Sequence, residues 1–380
     1  ISALSPGELL SKYMPAGENF DRDKLIHRVS EVFLRERISS SLGLQQLDVF
    51  LGRVMNTLFK QADKLKKNRL DLLLNYDPQK AVVPILSDDK NGSSLIHLGN
   101  KGLNLVSLSR YGFPVPPGFI VTTEVFRYRE VIDNYIPAFK NLEHQLKKEI
   151  STIELITGRY FGNPKNPLLF SVRSGSPISL PGMMNTFLNV GINEEIVEGM
   201  ISMTGQSWFP WDCYRRFMQS YGMAFGLNRD DFDDIIGGYK LRLGIPHKID
   251  FSGDQMKLIA LSYRDFILDH GIEIEESPFK QLYITMSKVF DSWNTSKAKT
   301  YRKIMGISDD WGTAVTIQSM VYGNIGPYSG SGVVFTHSPR ISEDIINLWG
   351  DYSLANQGED VVSGLVKTLP ISNKQAEIEN

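Results

Sequence analysis

The chain contains a single cysteine, Cys213, in 380 residues. That excludes an internal disulfide and fits a reducing, cytoplasmic setting. There is no run of about eighteen apolar residues, so no membrane-spanning helix is expected. Charge of one sign is not in excess: 41 Lys and Arg face 43 Asp and Glu, for a formal net charge of −2. Electrostatics therefore gives no argument for nucleic acid or membrane surfaces as partners. The local cluster Lys64, Lys66 and Lys67 reads as a solvated helix face. Metal-ligand spacing is missing too. His27, His97, His144, His247, His270 and His337 form no spaced cluster, and HExxH does not occur, so no metal ligands are assigned. His337 alone lies beside Gly-rich strand residues, where a nucleophilic role is a minor option. No internal repeat or low-complexity tract is evident. The opening ISALSPGELL lacks Met and lacks a charged-then-apolar signal layout, so the chain reads as a fragment or processed form.

What is present is the composition of a folded, soluble protein, 42% hydrophobic and 22% charged. The length suggests two or three units. Residues 1–94 read as all-helical. Leu25, Ile26, Val29, Val32 and Phe33 recur at helical spacing, as do Leu44, Leu47, Leu51, Val54, Leu58 and Phe59. A third helix is expected near Asp71–Tyr76. These stripes read as packing surfaces, with a partner-binding role as the second option. Val82 to Ser94, with its Pro, Asp, Asn and Gly residues, reads as a linker.

Residues 95–308 read as alternating strand and helix followed by mostly helix. Gly99-Asn100-Lys101-Gly102 sits at a helix start, and Gly112 closes that helix as a left-handed cap. FIVTT reads as a strand, with Thr123 as the N-cap of the next helix. Residues from about 194 to 308 return to helical patterns, with Trp208, Trp211, Tyr214 and Phe217 expected in the core. Residues 309–380 read as a smaller, strand-rich lobe, with GTAVTIQSMVYGN, GSGVVFTHSP and IINLWGDYSL as strands.

The most informative stretch is Leu168 to Gly191, LLFSVRSGSPISLPGMMNTFLNVG. An apolar strand ends by presenting Arg173 to a Ser/Gly loop. Backbone N–H groups of such a loop can converge on an anion, and arginine adds a planar fork that matches phosphate oxygens. From the local pattern alone, a strand followed by an ordinary turn is the first reading. Ser174, Ser176, Ser179 and Thr186 could add hydroxyl contacts or simply satisfy the loop backbone. Lys101, at a helix N-terminus, could meet a phosphate or be an exposed turn lysine; its loop is not a Walker A motif. Arg215 and Arg216 could reach a phosphate or cap a neighbouring helix.

Taken together, LGNKGLNLVSLSRYGFPVPPGFIVTT, LLFSVRSGSPISLPGMMNTFLNVG, WDCYRRFMQSYG, SWNTSKAKTYRKIMGI, GTAVTIQSMVYGNIGPYSGSGVVFT and NQGEDVVSG resemble the nucleotide-binding part of the pyruvate phosphate dikinase family. The resemblance runs from about Leu95 to Pro370. It implies an α+β, ATP-grasp-like, two-lobed fold with a helical insertion, preceded by the all-α extension. It implies a magnesium-dependent ATP-binding kinase of the phosphotransferase class, in which ATP phosphorylates a histidine on a separate swivelling domain. By motif match, Lys101 and Arg173 would contact ATP phosphates and carry the catalytic charge. Ser176 and Thr186 would join them, and Gly182, Met183 and Met184 would cover them. Gln318, Met320 and Val321 would flank the adenine. The partners implied are ATP and the phosphohistidine domain, with a homodimer left open.

The chain departs from the family pattern at Asn100, Asn185, His337, Asp351 and Lys367, as a divergent member would. The acidic D-x-E strand for Mg2+, the Q-T-R strand, the Thr-Ser-His loop and the pyruvate-binding barrel are not found before Asn380. The chain alone is therefore expected to bind Mg-ATP weakly and to be inactive. A non-catalytic nucleotide-binding or partner-binding module that retains the fold is the alternative.

Overall fold

The computed structural model describes residues 30–31, 33, 44–62, 75–86, 94–337, 348–364 and 366–379. The chain divides into two compact units, Ile1–Asn75 and Tyr76–Asn380. In the first, helix α1 spans Leu44–Ala62, with Leu47, Leu51 and Val54 of its expected stripe all exposed. The stripe of Leu25, Ile26, Val29 and Val32 lies outside the described residues, as does most of the expected helix near Asp71–Tyr76.

The second unit begins with strand β1 (Val82–Pro84), helix α2 (Leu95–Arg110) and strand β2 (Gly118–Val121). Helices α3 (Thr123–Arg127), α4 (Arg129–Asn134) and α5 (Ile136–Thr157) follow. Next come strands β3 (Tyr160–Phe161), β4 (Pro167–Leu168), β5 (Phe170–Gly175) and β6 (Thr186–Val190). A helical run follows: α6 (Glu194–Thr204), α7 (Trp208–Ala224), α8 (Arg229–Leu243), α9 (Gly253–Asp269), α10 (Pro278–Ser292) and α11 (Ser296–Met305). The remainder holds β7 (Ala314–Ser319), β8 (Gly330–Phe335), β9 (Trp349–Leu354), α12 (Gly358–Val362), β10 (Leu369–Pro370) and α13 (Asn373–Glu379).

The central sheet has the order β1-β2-β7-β5-β6 and is antiparallel throughout. A smaller antiparallel sheet has the order β10-β9-β8. The class is thus α+β, with these two sheets antiparallel and β3 and β4 forming a short parallel pair. The register fixes which side chains share a face, because alternate residues point to opposite sides. One row runs Val83, Ile120, Thr316, Arg173, Thr186 across the strands. The neighbouring residues form the row Phe119, Ile317, Val172, Phe187, all fully buried. Each of these side chains contributes roughly 1.5–3 kcal/mol of burial. On the Arg173 side, Leu98 and Val106 of α2 pack with Ile85, Ile120 and Ala314.

Four local expectations are corrected. Val82–Pro84 is not linker: it pairs with Gly118–Val121 as the edge strand of the central sheet. An edge tolerates Pro84, which has no N–H to donate. The N-cap of α3 is Thr122, whose hydroxyl accepts from the Glu124 N–H, rather than Thr123. Arg173 does not end its strand, since β5 continues to Gly175 with β7 pairing alongside. Finally, the strand-rich stretch after Trp311 is shared between both sheets. β7 lies in the middle of the central sheet, between β2 and β5, and β8 to β10 form the smaller one.

Candidate functional site

Two backbone features bring Lys101 to Arg173. Gly99 adopts φ 68°, ψ 172° inside α2, so the helix restarts there and carries Lys101 in its new first turn. A Cβ on Gly99 would lie 1.9 Å from the Gly175 carbonyl oxygen, so only glycine lets these two loops touch. The Asn100 N–H then donates to the Ser176 carbonyl at 3.0 Å.

Arg173 is half-buried, and its Nη2 donates to Gln318 Oε1. Gln318 sits diagonally across the β5–β7 pairing, on the same face. Its own amide nitrogen donates to the Pro116 carbonyl at 2.9 Å, which fixes the orientation of its oxygen toward Arg173. Arg173 Nε and Thr316 Oγ1, neighbours in one cross-strand row, are both buried without a hydrogen-bond partner. Desolvation lowers the Arg173 pKa, although a guanidinium stays charged at any ordinary pH. Lys101 is also lowered, first by desolvation and then by the Arg173 charge. Among the described residues, no carboxylate forms an ion pair with either cation. Lys101 is exposed and Arg173 half-buried, and the two lie near enough for the Arg173 charge to act on Lys101.

The other expected site residues are distributed unevenly. Gln318 belongs with Arg173. Ser176 directs its hydroxyl to the Ile178 carbonyl and so shapes the loop. Met183 and Met184 pack against Leu180, Trp293 and Ile307, and Lys297 Nζ donates to the Gly182 carbonyl at 3.4 Å. That loop is thus docked on α10 and α11. Met320 is buried and Val321 exposed, just past the end of β7.

Beside this pair lies a cavity of about 1060 Å³. Gly182, Met183, Met184 and Thr186 line it, whereas Lys101, Arg173 and Gln318 do not. Thr186 links the two places, because it pairs with Arg173 across β5 and β6. The sequence reading left Arg215 and Arg216 open and did not single out Lys248 or Asp360. All four line the cavity. Asp212, Arg215 and Arg216 stand at i, i+3 and i+4 on α7, on one helix face. Arg215 Nη2 donates to Asp212 Oδ1 at 2.8 Å and Arg216 Nε to Oδ2 at 2.8 Å. Arg216 Nη2 reaches on to Asp360 Oδ2 at 2.6 Å, and Lys248 Nζ lies 3.5 Å from Asp212 Oδ2. Burial alone would raise Asp212, but Arg216, Lys248 and Arg215 more than reverse this and hold it well below the ordinary carboxylate range. Asp212 and Asp360 therefore tie down the cations of α7, unlike the pair at Arg173. Six cations and three carboxylates line the cavity, so its field favours an anionic occupant.

A family model described as pyruvate phosphate dikinase, AMP/ATP-binding domain, matches residues 131–375. The chain belongs to this family. The resemblance read from the motifs is thereby borne out, although Lys101 lies before the matched stretch. Pyruvate, phosphate dikinase of Rickettsia conorii is 39% identical over 284 residues, covering 74% of this chain and 32% of that protein. The Clostridium symbiosum protein of the same name is 38% identical over 288 residues, with 75% and 32% covered. The Giardia intestinalis one is 36% identical over 283 residues, with 73% and 32% covered. The chain thus spans about a third of the length of the curated relatives it matches. No helix among the described residues is long and apolar enough to cross a membrane.

Proposed function

We propose that this chain is the ATP-binding module of a pyruvate phosphate dikinase-like phosphotransferase, which passes a phosphoryl group from ATP to a histidine on a separate domain. Lys101 and Arg173 receive the phosphates. The observation that carries this is the unpartnered, buried Arg173 Nε, together with two neighbouring cations that have no described carboxylate. A buried donor left without a partner costs about 1–3 kcal/mol, so a native structure keeps one where a ligand or water completes it.

Phosphoryl transfer asks for positioning and charge neutralisation more than for covalent help. Lys101 supplies a mobile point charge and Arg173 a fixed fork, with Gln318 setting the plane of that fork. The Thr316 hydroxyl lies in the same row and can donate to a phosphate oxygen. Gln318, Met320 and Val321 are offered to the base, and Thr186 to the phosphate end. Among the described residues, no group of three or more His, Cys, Asp or Glu side chains could hold a metal ion. No step here passes through a metal.

Arg173→Ala is expected to weaken ATP binding by about a hundredfold, or about 3 kcal/mol, for loss of one preorganised charge contact. Calorimetric titration with ATP, next to a melting curve that confirms folding, checks it. Unchanged affinity in a folded variant would remove the basis of the proposal. ATP binding that depends on Arg173 without phosphoryl transfer to a histidine-bearing domain would favour the non-catalytic nucleotide-binding module.

A further inference from the structure

Lys248 opens the short turn Lys248–Asp250 between α8 and α9, and its side chain forms part of the cavity wall. Only 24% of that side chain is exposed. It is held between groups from several elements. From α7 come Asp212, Arg215 and Arg216, and the Trp208 ring centroid lies 5.8 Å from Nζ. Asp360 of α12 acts on it from across the cavity, which Glu359, His247 and the α8 residues Asp233 and Lys240 also line. One carboxylate, Asp212, is thus shared among three cations, and both guanidiniums already hold it at 2.8 Å. The amine, at 3.5 Å, has the poorest share of it. A guanidinium cannot give up its proton, so the amine is the member of the cluster that can relieve the crowding.

We propose that Lys248 is an acylation site for small acyl phosphates drawn into this cavity. The neutral amine attacks the acyl carbon through its lone pair, forming a C–N bond. The C–O bond to phosphate breaks and its electron pair leaves on the phosphate oxygen. The surplus amine proton goes to the departing phosphate, so the products are N-acyl-lysine and inorganic phosphate. No oxidant or metal is needed. The cationic lining raises the local concentration of the dianionic reagent and stabilises the leaving phosphate.

Desolvation, only partly offset by Asp212 and reinforced by Arg216 and Arg215, brings the Lys248 pKa down to about 8. About a quarter of Lys248 is then neutral at pH 7.5, roughly two hundred times the fraction of an ordinary lysine. Lower basicity weakens each neutral amine as a nucleophile, as it does for thiols, which leaves a net advantage of roughly tenfold.

The test is incubation of the full chain with acetyl phosphate between pH 7 and 9, followed by peptide mass spectrometry of every lysine. Lys248 is expected to acetylate roughly tenfold faster than Lys280, whose side chain is 70% exposed. Its rate should level off above about pH 8, and added inorganic phosphate should slow Lys248 alone. With acetic anhydride, an uncharged reagent, Lys248 should keep its advantage without competition from phosphate. Lys248→Arg should remove this one modification and leave the others. A Lys248 rate no higher than that of Lys280 would overturn the proposal. A rate toward acetyl phosphate that ignores added phosphate would overturn the role given to the cavity.

Discussion

Gly99→Ala is the sharpest test of how the Lys101–Arg173 pair is assembled. The native backbone at Gly99, φ 68° and ψ 172°, is essentially reserved to glycine, so alanine there carries about 1–3 kcal/mol of strain. Its Cβ would also meet the Gly175 carbonyl at 1.9 Å for oxygen and 2.3 Å for carbon. Those atoms are backbone at the end of β5, so no side chain can swing aside. The loops must part, which breaks the Asn100–Ser176 hydrogen bond of 3.0 Å and adds about 1 kcal/mol. In a unit that runs from Tyr76 to Asn380, a total of about 3 kcal/mol corresponds to a melting temperature lower by roughly 4–5 °C. Lys101 moves with the loop, so ATP affinity falls together with stability. Gly112→Ala is the control: its φ is 79°, but nothing lies within 4 Å of the added Cβ, so only strain should register. Scanning calorimetry and ATP titration of both variants read the two effects. A Gly99→Ala protein that melts and binds like Gly112→Ala would refute the close approach of the two loops.

Two further predictions concern the α7 cluster. Asp212→Asn leaves Arg215, Arg216 and Lys248 without their shared carboxylate and should cost about 3–5 kcal/mol at pH 7. The Asp212 pKa is depressed on folding, so its stabilisation is present above the unfolded value of about 3.9 and is lost as pH falls through the folded one. Urea midpoints of variant and wild type should therefore converge below about pH 4, and a constant gap would contradict this. Lys248→Met removes a charge whose folded pKa of about 8 lies below its unfolded value, so the charge costs stability in full below pH 8. The variant should be more stable at pH 7 by about 2–3 kcal/mol, with the gap closing as the wild type gains stability from pH 8 toward 10. A less stable variant at pH 7 would show that the Asp212 contact outweighs desolvation.

The parts of the site written in local sequence were legible. GNKG fixes a helix start because Gly99 must leave helical geometry, and Gly112 closes the same helix with its positive φ. GFIV reads as a buried strand and is one. What local pattern could not show was the partner of each strand. β7 lies about 145 residues after its neighbour β5, and its apolar run looks the same whether it opens a second lobe or sits between β2 and β5. Val82–Pro84 was hidden by its proline, which excludes a central strand but not an edge. Arg215 and Arg216 stayed ambiguous, although the i, i+3, i+4 spacing from Asp212 was a signal that an acid waits for them on the same helix face. Lys248 and Asp360 had no such signal. Each is far along the chain from α7, and only folding places them against it.

That difference in pairing is also what supports the binding role proposed for Arg173 over the structural role of Arg216. Arg216 is gripped by Asp212 and Asp360, and its charge is already answered before any ligand arrives. Arg173 meets only the neutral amide oxygen of Gln318, keeps its Nε unpaired, and faces Lys101 instead of an acid. A protein gains nothing in stability from a half-buried guanidinium with an empty donor and a second positive charge nearby. An anion placed between them would remove the repulsion and fill the donor at once, while the same anion at Arg216 would have to compete with two carboxylates. The cation the fold leaves unanswered, not the one most densely hydrogen-bonded, therefore carries the functional reading. The Arg173 and Asp212 substitutions should part accordingly, the first lowering nucleotide affinity more than stability and the second stability more than affinity.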